Sequence, residues 1–96
     1  MSETKKLTNA LLKEKMTDAM VDRGYCRNLD AVNQSGYYSV GTATPDRPGD
    51  IYGTMQCLIT STFRSQIIYA TNGCIYMRTG QTAWPSSWLK TSLTIV

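Results

Sequence analysis

The chain contains no histidine, and this absence removes several kinds of chemistry at once. A histidine general base, a Ser-His-Asp triad and imidazole metal ligands are all excluded. The three cysteines, Cys26, Cys57 and Cys74, are odd in number and lack Cys-x-x-Cys spacing. The sequence therefore predicts neither a disulfide framework nor a zinc site. We expect three free thiols, buried as small apolar side chains.

Charge and long apolar runs are also scarce. The net charge is only +3, and four lysines fall within the first fifteen of the 96 residues. This weak balance argues against nucleic acid as a partner on charge alone. No apolar run approaches the length of about 18 residues that a membrane-spanning helix needs, and no signal peptide follows Met1. We expect a chain that is made in the reducing cytoplasm and is not inserted into a membrane.

The carboxylates do not form a catalytic or metal-binding group. Asp46 and Asp50 share a Pro/Gly-rich loop, whereas a glycosidase pair needs a defined separation across a groove. The same loop offers too few oxygen ligands for Ca²⁺. The sequence contains neither a phosphate-binding glycine loop nor a nucleophile elbow. We therefore expect a protein that is not an enzyme and uses no cofactor and no metal.

Residues 1–24 are predicted to form an N-terminal amphipathic helix. Apolar residues recur at steps of three and four up to Val21, and Gly24 is expected to end the helix near Asp22 or Arg23. The apolar stripe consists of Leu7, Leu11, Leu12, Met16, Ala19 and Met20. A single helix of this length is marginally stable, so the stripe must pack on something. It packs either on the sheet of its own chain or against sister copies, because Leu12, Met16 and Ala19 also fit a and d positions of a coiled coil.

Residues 25–96 are predicted to form an antiparallel β domain. Strands are expected at residues 37–41, 53–60, 66–70, 74–79 and 91–96, preceded by a helix-like turn at residues 28–32. The last strand is expected at an edge, where it could also pair between chains. Asn72-Gly73 predicts a type I′ hairpin, in which both residues have positive φ. The expected fold class is mainly β: a small antiparallel β-sandwich or meander with one N-terminal α-helix.

The dense aromatic residues have two interpretations. They form either a platform on which sugar rings stack or the core of a small domain. Tyr76, Trp88 and one of the pair Tyr37 and Tyr38 are expected in the core, and Trp84 is the aromatic residue most expected at the surface. Asp46, Arg47 and Asp50 are expected to be exposed in their loop. The predicted ligand-binding residues are Trp84, Tyr52, Arg47 and Asp46. Structural roles are expected for Arg78, by stacking on aromatic faces, and for Gln66, by bonding to the backbone.

The order of these pieces resembles the knob domains of bacteriophage tail fibres and R-type pyocin fibres. The resemblance is carried by Asn28-Leu29-Asp30, Gly36 to Val40, Pro48, Gly53, Gln66 to Tyr69, Ile75 to Arg78, and Trp84 to Lys90. It implies a homotrimer in the tail fibre of a virion, with a role in attachment to bacterial surface polysaccharide or lipopolysaccharide. It favours sister copies as the partner of the stripe, with Leu12, Met16 and Ala19 at the interface. The alternative is a stand-alone lectin-like or single-stranded nucleic-acid-binding β module.

Overall fold

The computed structural model describes residues 21–92, which form one six-stranded sheet whose strands follow the order of the sequence. The strands are β1 Asp22–Tyr25, β2 Gly36–Val40, β3 Gly53–Ile59, β4 Arg64–Ala70, β5 Cys74–Gly80 and β6 Leu89–Ser92. A 3₁₀ turn at Leu29–Ala31 lies between β1 and β2, where the sequence predicts a helix-like turn. The prediction of a mainly β fold is confirmed. Its strand order is that of a meander in a single sheet, and not that of a sandwich.

The first strand runs parallel to its neighbour, so the sheet is mixed and the prediction of a purely antiparallel sheet is wrong. The carbonyl of Val21 accepts a hydrogen bond from the N–H of Tyr37, and the N–H of Cys26 donates to the carbonyl of Ser39, each over 2.8 Å. Residues 26–35, which include the 3₁₀ turn, form a crossover that carries the chain from the end of β1 back to the end of the sheet where β1 began, so that β2 runs in the same direction. All other neighbouring strands are antiparallel.

The predicted helix of residues 1–24 falls largely outside the described residues, and so do its interface positions Leu12, Met16 and Ala19. Its predicted end near Asp22 or Arg23 is wrong, because these residues belong to β1. Their extended conformation is stabilised by pairing with β2 and by the side chain of Arg23, whose Nε donates to the carbonyl of Ser35 over 3.1 Å. The sheet therefore begins before residue 25, the predicted start of the β domain.

The hairpin between β4 and β5 is confirmed, but its turn is not of type I′. Gly73 has a φ of +86°, while no residue other than glycine has a positive φ in the part of the chain that the structure describes. The N–H of Gly73 donates to the carbonyl of Ala70, and the side chain of Asn72 accepts from the N–H of Cys74 over 3.0 Å. A type I turn followed by a left-handed glycine therefore closes a three-residue loop.

One face of the sheet carries the core. Met55, Ile68 and Tyr76 lie side by side in the register of β3, β4 and β5, and all three are buried. Leu29 of the 3₁₀ turn covers this face and is itself fully buried. Burial of each such side chain contributes about 1.5–3 kcal/mol. The prediction that Tyr76 belongs to the core is confirmed, as is the prediction that all three cysteines are free and buried.

The opposite face, called the outer face here, is open in the described chain. Its apolar residues alternate along the strands with those of the core: Tyr37, Leu58, Ile67, Ile75, Met77 and Leu89. Leu89 is 70% exposed and Met77 38% exposed. The last predicted strand, residues 91–96, corresponds to β6, which begins earlier, at Leu89; residues 93–96 lie outside the described range.

Candidate functional site

The four residues that the sequence predicts to bind a ligand lie at two opposite ends of the sheet. Tyr52 precedes Gly53, which pairs with Val40 and Ala70 at one end of β3. Trp84 lies near Arg64, which pairs with the residue at the other end of β3. Six strand residues separate these ends by about 20 Å. A single small-molecule pocket therefore does not bring all four residues together.

Arg78 is the centre of the cluster at the Trp84 end, and each nitrogen of its guanidinium donates one hydrogen bond within the chain. Its Nε donates to Gln66 Oε1 over 2.7 Å, its Nη1 to the carbonyl of Pro85 over 2.8 Å, and its Nη2 to Asp30 Oδ1 over 2.8 Å. Gln66 in turn donates from Nε2 to the carbonyl of Leu29 over 2.8 Å. A buried arginine whose donors are satisfied in this way is a structural crosslink.

The two tryptophans complete this cluster. The Cζ atom of Arg78 lies 5.2 Å from the ring centroid of Trp84 and 4.5 Å from that of Trp88. Arg64 Cζ lies 5.3 Å from the Trp84 ring, and Trp84 Nε1 donates to the carbonyl of Val32 over 3.3 Å. Both tryptophans are half-buried and pack against the core. The guanidinium groups of Arg64 and Arg78 lie near the Trp84 ring, and its N–H is bonded to the backbone. Trp84 is therefore better suited to covering the core than to stacking on a sugar.

Asp46, in the loop after β2, caps the 3₁₀ turn. Its two carboxylate oxygens accept hydrogen bonds from the N–H of Leu29, at 2.9 and 3.1 Å, and one also accepts from the N–H of Asp30 at 3.3 Å. These N–H groups open the turn and donate to none of its own carbonyls. The N–H of Asp30 also donates to the side chain of Asn28, the N-cap residue, over 3.0 Å. The carboxylate of Asp46 thus holds the loop after β2 against the turn that covers the core.

Arg47 shapes the same loop from the inside. Its Nη1 donates to the carbonyls of Gly41 and Thr44, over 2.7 and 3.2 Å, and its Nη2 forms a 3.5 Å ion pair with Asp50. The side chain of Arg47 is only 11% exposed, whereas Asp50 is fully exposed. The prediction of an exposed Arg47 is therefore wrong. The carbonyls of Gly41 and Thr44 also accept the backbone N–H groups of Thr44 and Arg47, so the guanidinium adds a second hydrogen bond to each of them and ties the loop together.

Tyr52 is the one predicted ligand-binding residue that presents a large open ring. It is 52% exposed and lies beside Tyr25, which is 44% exposed. The two rings meet at Gly41, where an added Cβ would collide with the hydroxyl of Tyr25 and lie 3.1 Å from the Tyr52 ring. Arg47 Cζ lies 5.8 Å from the centroid of Tyr52. The absence of a side chain at Gly41 therefore permits this pair of exposed tyrosines.

Tyr25 also borders an open groove of about 330 Å³, called the tyrosine groove here. Its lining includes a second tyrosine, Tyr38, and the polar side chains of Arg27, Asn28 and Asn33. The hydroxyl of Tyr38 donates to a backbone carbonyl 2.9 Å away, and burial raises the pKa of this hydroxyl, so it remains protonated at neutral pH. The groove therefore combines two aromatic rings with hydrogen-bonding groups and one positive charge.

Sequence reasoning missed Tyr25, Arg27 and Asn33. The interval from Tyr25 to Asn33 has no periodicity, and only the structure shows that it wraps one margin of the groove. The signal available in the sequence was composition: an aromatic residue is followed within eight positions by arginine and two asparagines. Such a set is typical of surfaces that bind polar ligands with apolar faces.

The one thiol in the lining of the groove is not activated as a nucleophile. Burial raises the pKa of the Cys26 thiol, which adjoins the groove, so it is a poor nucleophile. Residues 21–92 contain no group of three histidine, cysteine or acidic side chains placed to hold a metal ion. Nor does a helix in that range have the length and apolar character required to cross a membrane.

Comparisons with known proteins add no relative. No protein-family model matches the chain, and searches of curated proteins and of solved structures find no match either. The resemblance to fibre knob domains therefore stays a prediction, and any function has to be argued from the groove and from the surfaces of the sheet.

Proposed function

We propose that this chain is a structural and adhesive module of the phage tail-fibre type, which forms a homotrimer in the virion. In this role it contributes to attachment by binding a polysaccharide or lipopolysaccharide on the bacterial surface. The observation that carries the binding part is the tyrosine groove, together with the exposed Tyr52 next to it. The order of the strand and turn motifs supports the fibre part.

The groove matches the chemistry of sugars. A pyranose ring presents a C–H face that stacks on an aromatic ring, and its hydroxyls bond in the ring plane to amides and guanidinium groups. Tyr25 supplies an exposed ring, while Arg27 and Asn33 are exposed polar residues on the same lining. A phosphate or carboxylate on the glycan would pair with Arg27. An open groove of this size takes one or two sugar units, so each copy binds weakly.

Assembly compensates for weak single sites. A homotrimer carries three grooves, and simultaneous engagement of a repetitive polysaccharide raises the effective affinity without any new contact. The proposed interface residues are Leu12, Met16 and Ala19, on the apolar stripe of the leading segment. A stand-alone lectin-like module is the second candidate function, because a single chain supplies the complete lining of the groove.

The test is a glycan array with the wild-type chain, followed by titration calorimetry with the best glycan. We expect Tyr25→Ala to weaken binding at least tenfold. Phe63→Ala is the matched control: Phe63 is as exposed as Tyr52, at 52%, but lies in the turn between β3 and β4, at the opposite end of the sheet. Equal binding by wild type and Tyr25→Ala, or no glycan binding at all, would refute the proposal. Light scattering separates the fibre-type trimer from a monomeric lectin.

A further inference from the structure

The outer face of the sheet carries large apolar side chains that the described residues leave partly exposed, among them Leu58, Met77 and Leu89. Tyr37, Gln56, Ile67, Met77 and Leu89 lie in one row that crosses β2 to β6, and Gln56 is its one polar member. No outward position of β2 to β6 carries a charged side chain, while Arg64, Arg78 and Lys90 point to the opposite face. A row of apolar side chains on an uncharged sheet face favours a second layer over it.

The chain carries one segment that fits this face. The apolar stripe between Leu7 and Met20 places six apolar side chains at helical steps of three and four. As a helix, these fourteen residues would measure about 21 Å. The row from Tyr37 to Leu89 crosses four strand spacings, or about 19 Å. The stripe and the row therefore agree in length as well as in apolar character.

The direction in which the chain enters the sheet indicates whether the stripe contacts the outer face of its own chain or that of a neighbouring copy. Because β1 is parallel to β2, the chain arrives at Val21 from the end of the sheet where β2 begins, and the carbonyl of Val21 is bonded to Tyr37. The stripe continues to Met20, so only one residue remains before β1. Residues 1–20 contain neither glycine nor proline. A return onto the chain's own outer face would need a reversal that these residues do not favour.

We propose that the apolar stripe of each copy binds the outer face of a neighbouring copy. This contact is heterologous, because it joins the stripe of one copy to the outer face of the next. If neighbouring copies are related by a rotation of one third of a turn, three copies form a closed ring. Each copy then supplies one stripe and receives another, so every outer face is covered. The inference rests on the proposed homotrimer and specifies which surface receives Leu12, Met16 and Ala19. It differs from a coiled coil, in which the three stripes pack on one another.

The first test compares the two halves of this contact in the full-length chain. Met16→Lys places a charge on the stripe and Met77→Lys places one at the centre of the outer face, 38% exposed and so tolerant of lysine in the single copy. We expect each to raise the concentration at which the trimer dissociates at least tenfold, measured by light scattering. Ser86→Lys, in the exposed loop before β6, is the matched control and should leave the trimer unchanged.

The outcomes separate this inference from the proposed function. A trimer that resists Met77→Lys but dissociates with Met16→Lys would show that the stripes pack on one another; the inference would fall and the homotrimer would stand. A monomeric wild type would overturn both the inference and the homotrimer. Glycan binding, tested by Tyr25→Ala on another part of the surface, is read independently of either result.

A crosslinking experiment tests the exchange between copies directly. Chains with Met16→Cys and chains with Met77→Cys, carrying different tags, are unfolded together, refolded and treated with a bismaleimide. The three native cysteines are buried and react slowly, so the introduced thiols dominate. A product that carries both tags supports the inference. A doubly substituted chain that crosslinks only within itself would show that the stripe covers its own sheet, and would overturn it.

Discussion

Arg78 connects three separate parts of the chain, and its removal should cost more stability than any other single arginine substitution in the sheet. In Arg78→Met the stem of the side chain is retained, but the contacts with the 3₁₀ turn, with Gln66 and with the tryptophan segment are lost. The side chain is only 4% exposed, so water does not replace these contacts. We expect the free energy of unfolding to fall by about 3–5 kcal/mol.

The magnitude follows from the separate contacts. Gln66 Oε1, buried and bonded over 2.7 Å, would lose its donor at a cost of about 1–3 kcal/mol. The two cation–π contacts, at 5.2 and 4.5 Å from the ring centroids of Trp84 and Trp88, contribute about 0.5–2 kcal/mol each. The ion pair with Asp30 adds only about 0–1 kcal/mol, because that carboxylate is 67% exposed. These terms belong to one side chain and are not additive, so the expected loss of about 3–5 kcal/mol lies towards the lower part of their combined span.

Two conservative variants show which of these contacts matter. Asp30→Asn removes the charge of the partner and should cost less than about 1 kcal/mol. Arg78→Lys keeps the charge but lacks the planar fork that reaches three acceptors, so its loss should lie between the other two. This order distinguishes a network of hydrogen bonds and ring contacts from a simple ion pair.

Urea unfolding measures all three variants. The chain has only two tryptophans, and both contact Arg78, so their fluorescence reports on this cluster while far-UV circular dichroism reports on the sheet. The reasoning would be refuted if Arg78→Met lost less than about 1 kcal/mol, the value typical of an average point substitution. A loss in Asp30→Asn equal to that in Arg78→Met would also contradict it.

Two further predictions concern the cap of the 3₁₀ turn and a buried thiol. Asp46→Ala removes the side-chain acceptor for the N–H of Leu29, while the N–H of Asp30 keeps its hydrogen bond to Asn28 Oδ1. It should cost about 1–2 kcal/mol in urea unfolding, whereas Asp50→Ala, in the same loop, should stay within about 0.5 kcal/mol. Burial raises the pKa of the Cys57 thiol from 9.0 to about 11, so between these values the folded chain keeps a proton that the unfolded chain loses. Stability should therefore be complete below pH 9 and fall by roughly 1–3 kcal/mol towards pH 11. Cys57→Ala should flatten this alkaline loss, and an unchanged slope would contradict the assignment to this thiol.

The strands from β2 to β5 were predictable because their signals are local. Apolar and β-branched residues alternate along each, and Gly73 marks the hairpin between β4 and β5. The strand β1 was not predictable in this way. Its four residues include three polar or flexible types, and its extended form depends on pairing with β2 across the crossover. The turn type also escaped prediction, because the side chain of Asn72 bonds to the next strand and does not adopt positive φ.

The candidate site was predictable only in part. Tyr52 was singled out as an aromatic residue in a loop, and it is exposed. The sequence does not reveal that the carboxylate of Asp46 is engaged by a turn about seventeen residues away, or that Arg47 folds into its own loop. Tyr25 was missed because its neighbourhood depends on Gly41, which lies close only after β1 and β2 have paired. Contacts that depend on long-range pairing leave no periodic signal in the sequence.

The parallel first strand also determines how a pulling force would travel through the molecule. The described chain enters the sheet at Val21, beside the start of β2, and leaves it at Ser92, on the opposite edge. Tension between these points acts across all five pairs of neighbouring strands. Because Val21 and Ser92 lie at diagonally opposite corners of the sheet, the force both shears the inter-strand hydrogen bonds along the strands and pulls neighbouring strands apart. The two outermost strands have only four residues each and would separate first. The four inner strands, with the buried row of Met55, Ile68 and Tyr76, would then bear the load as one block.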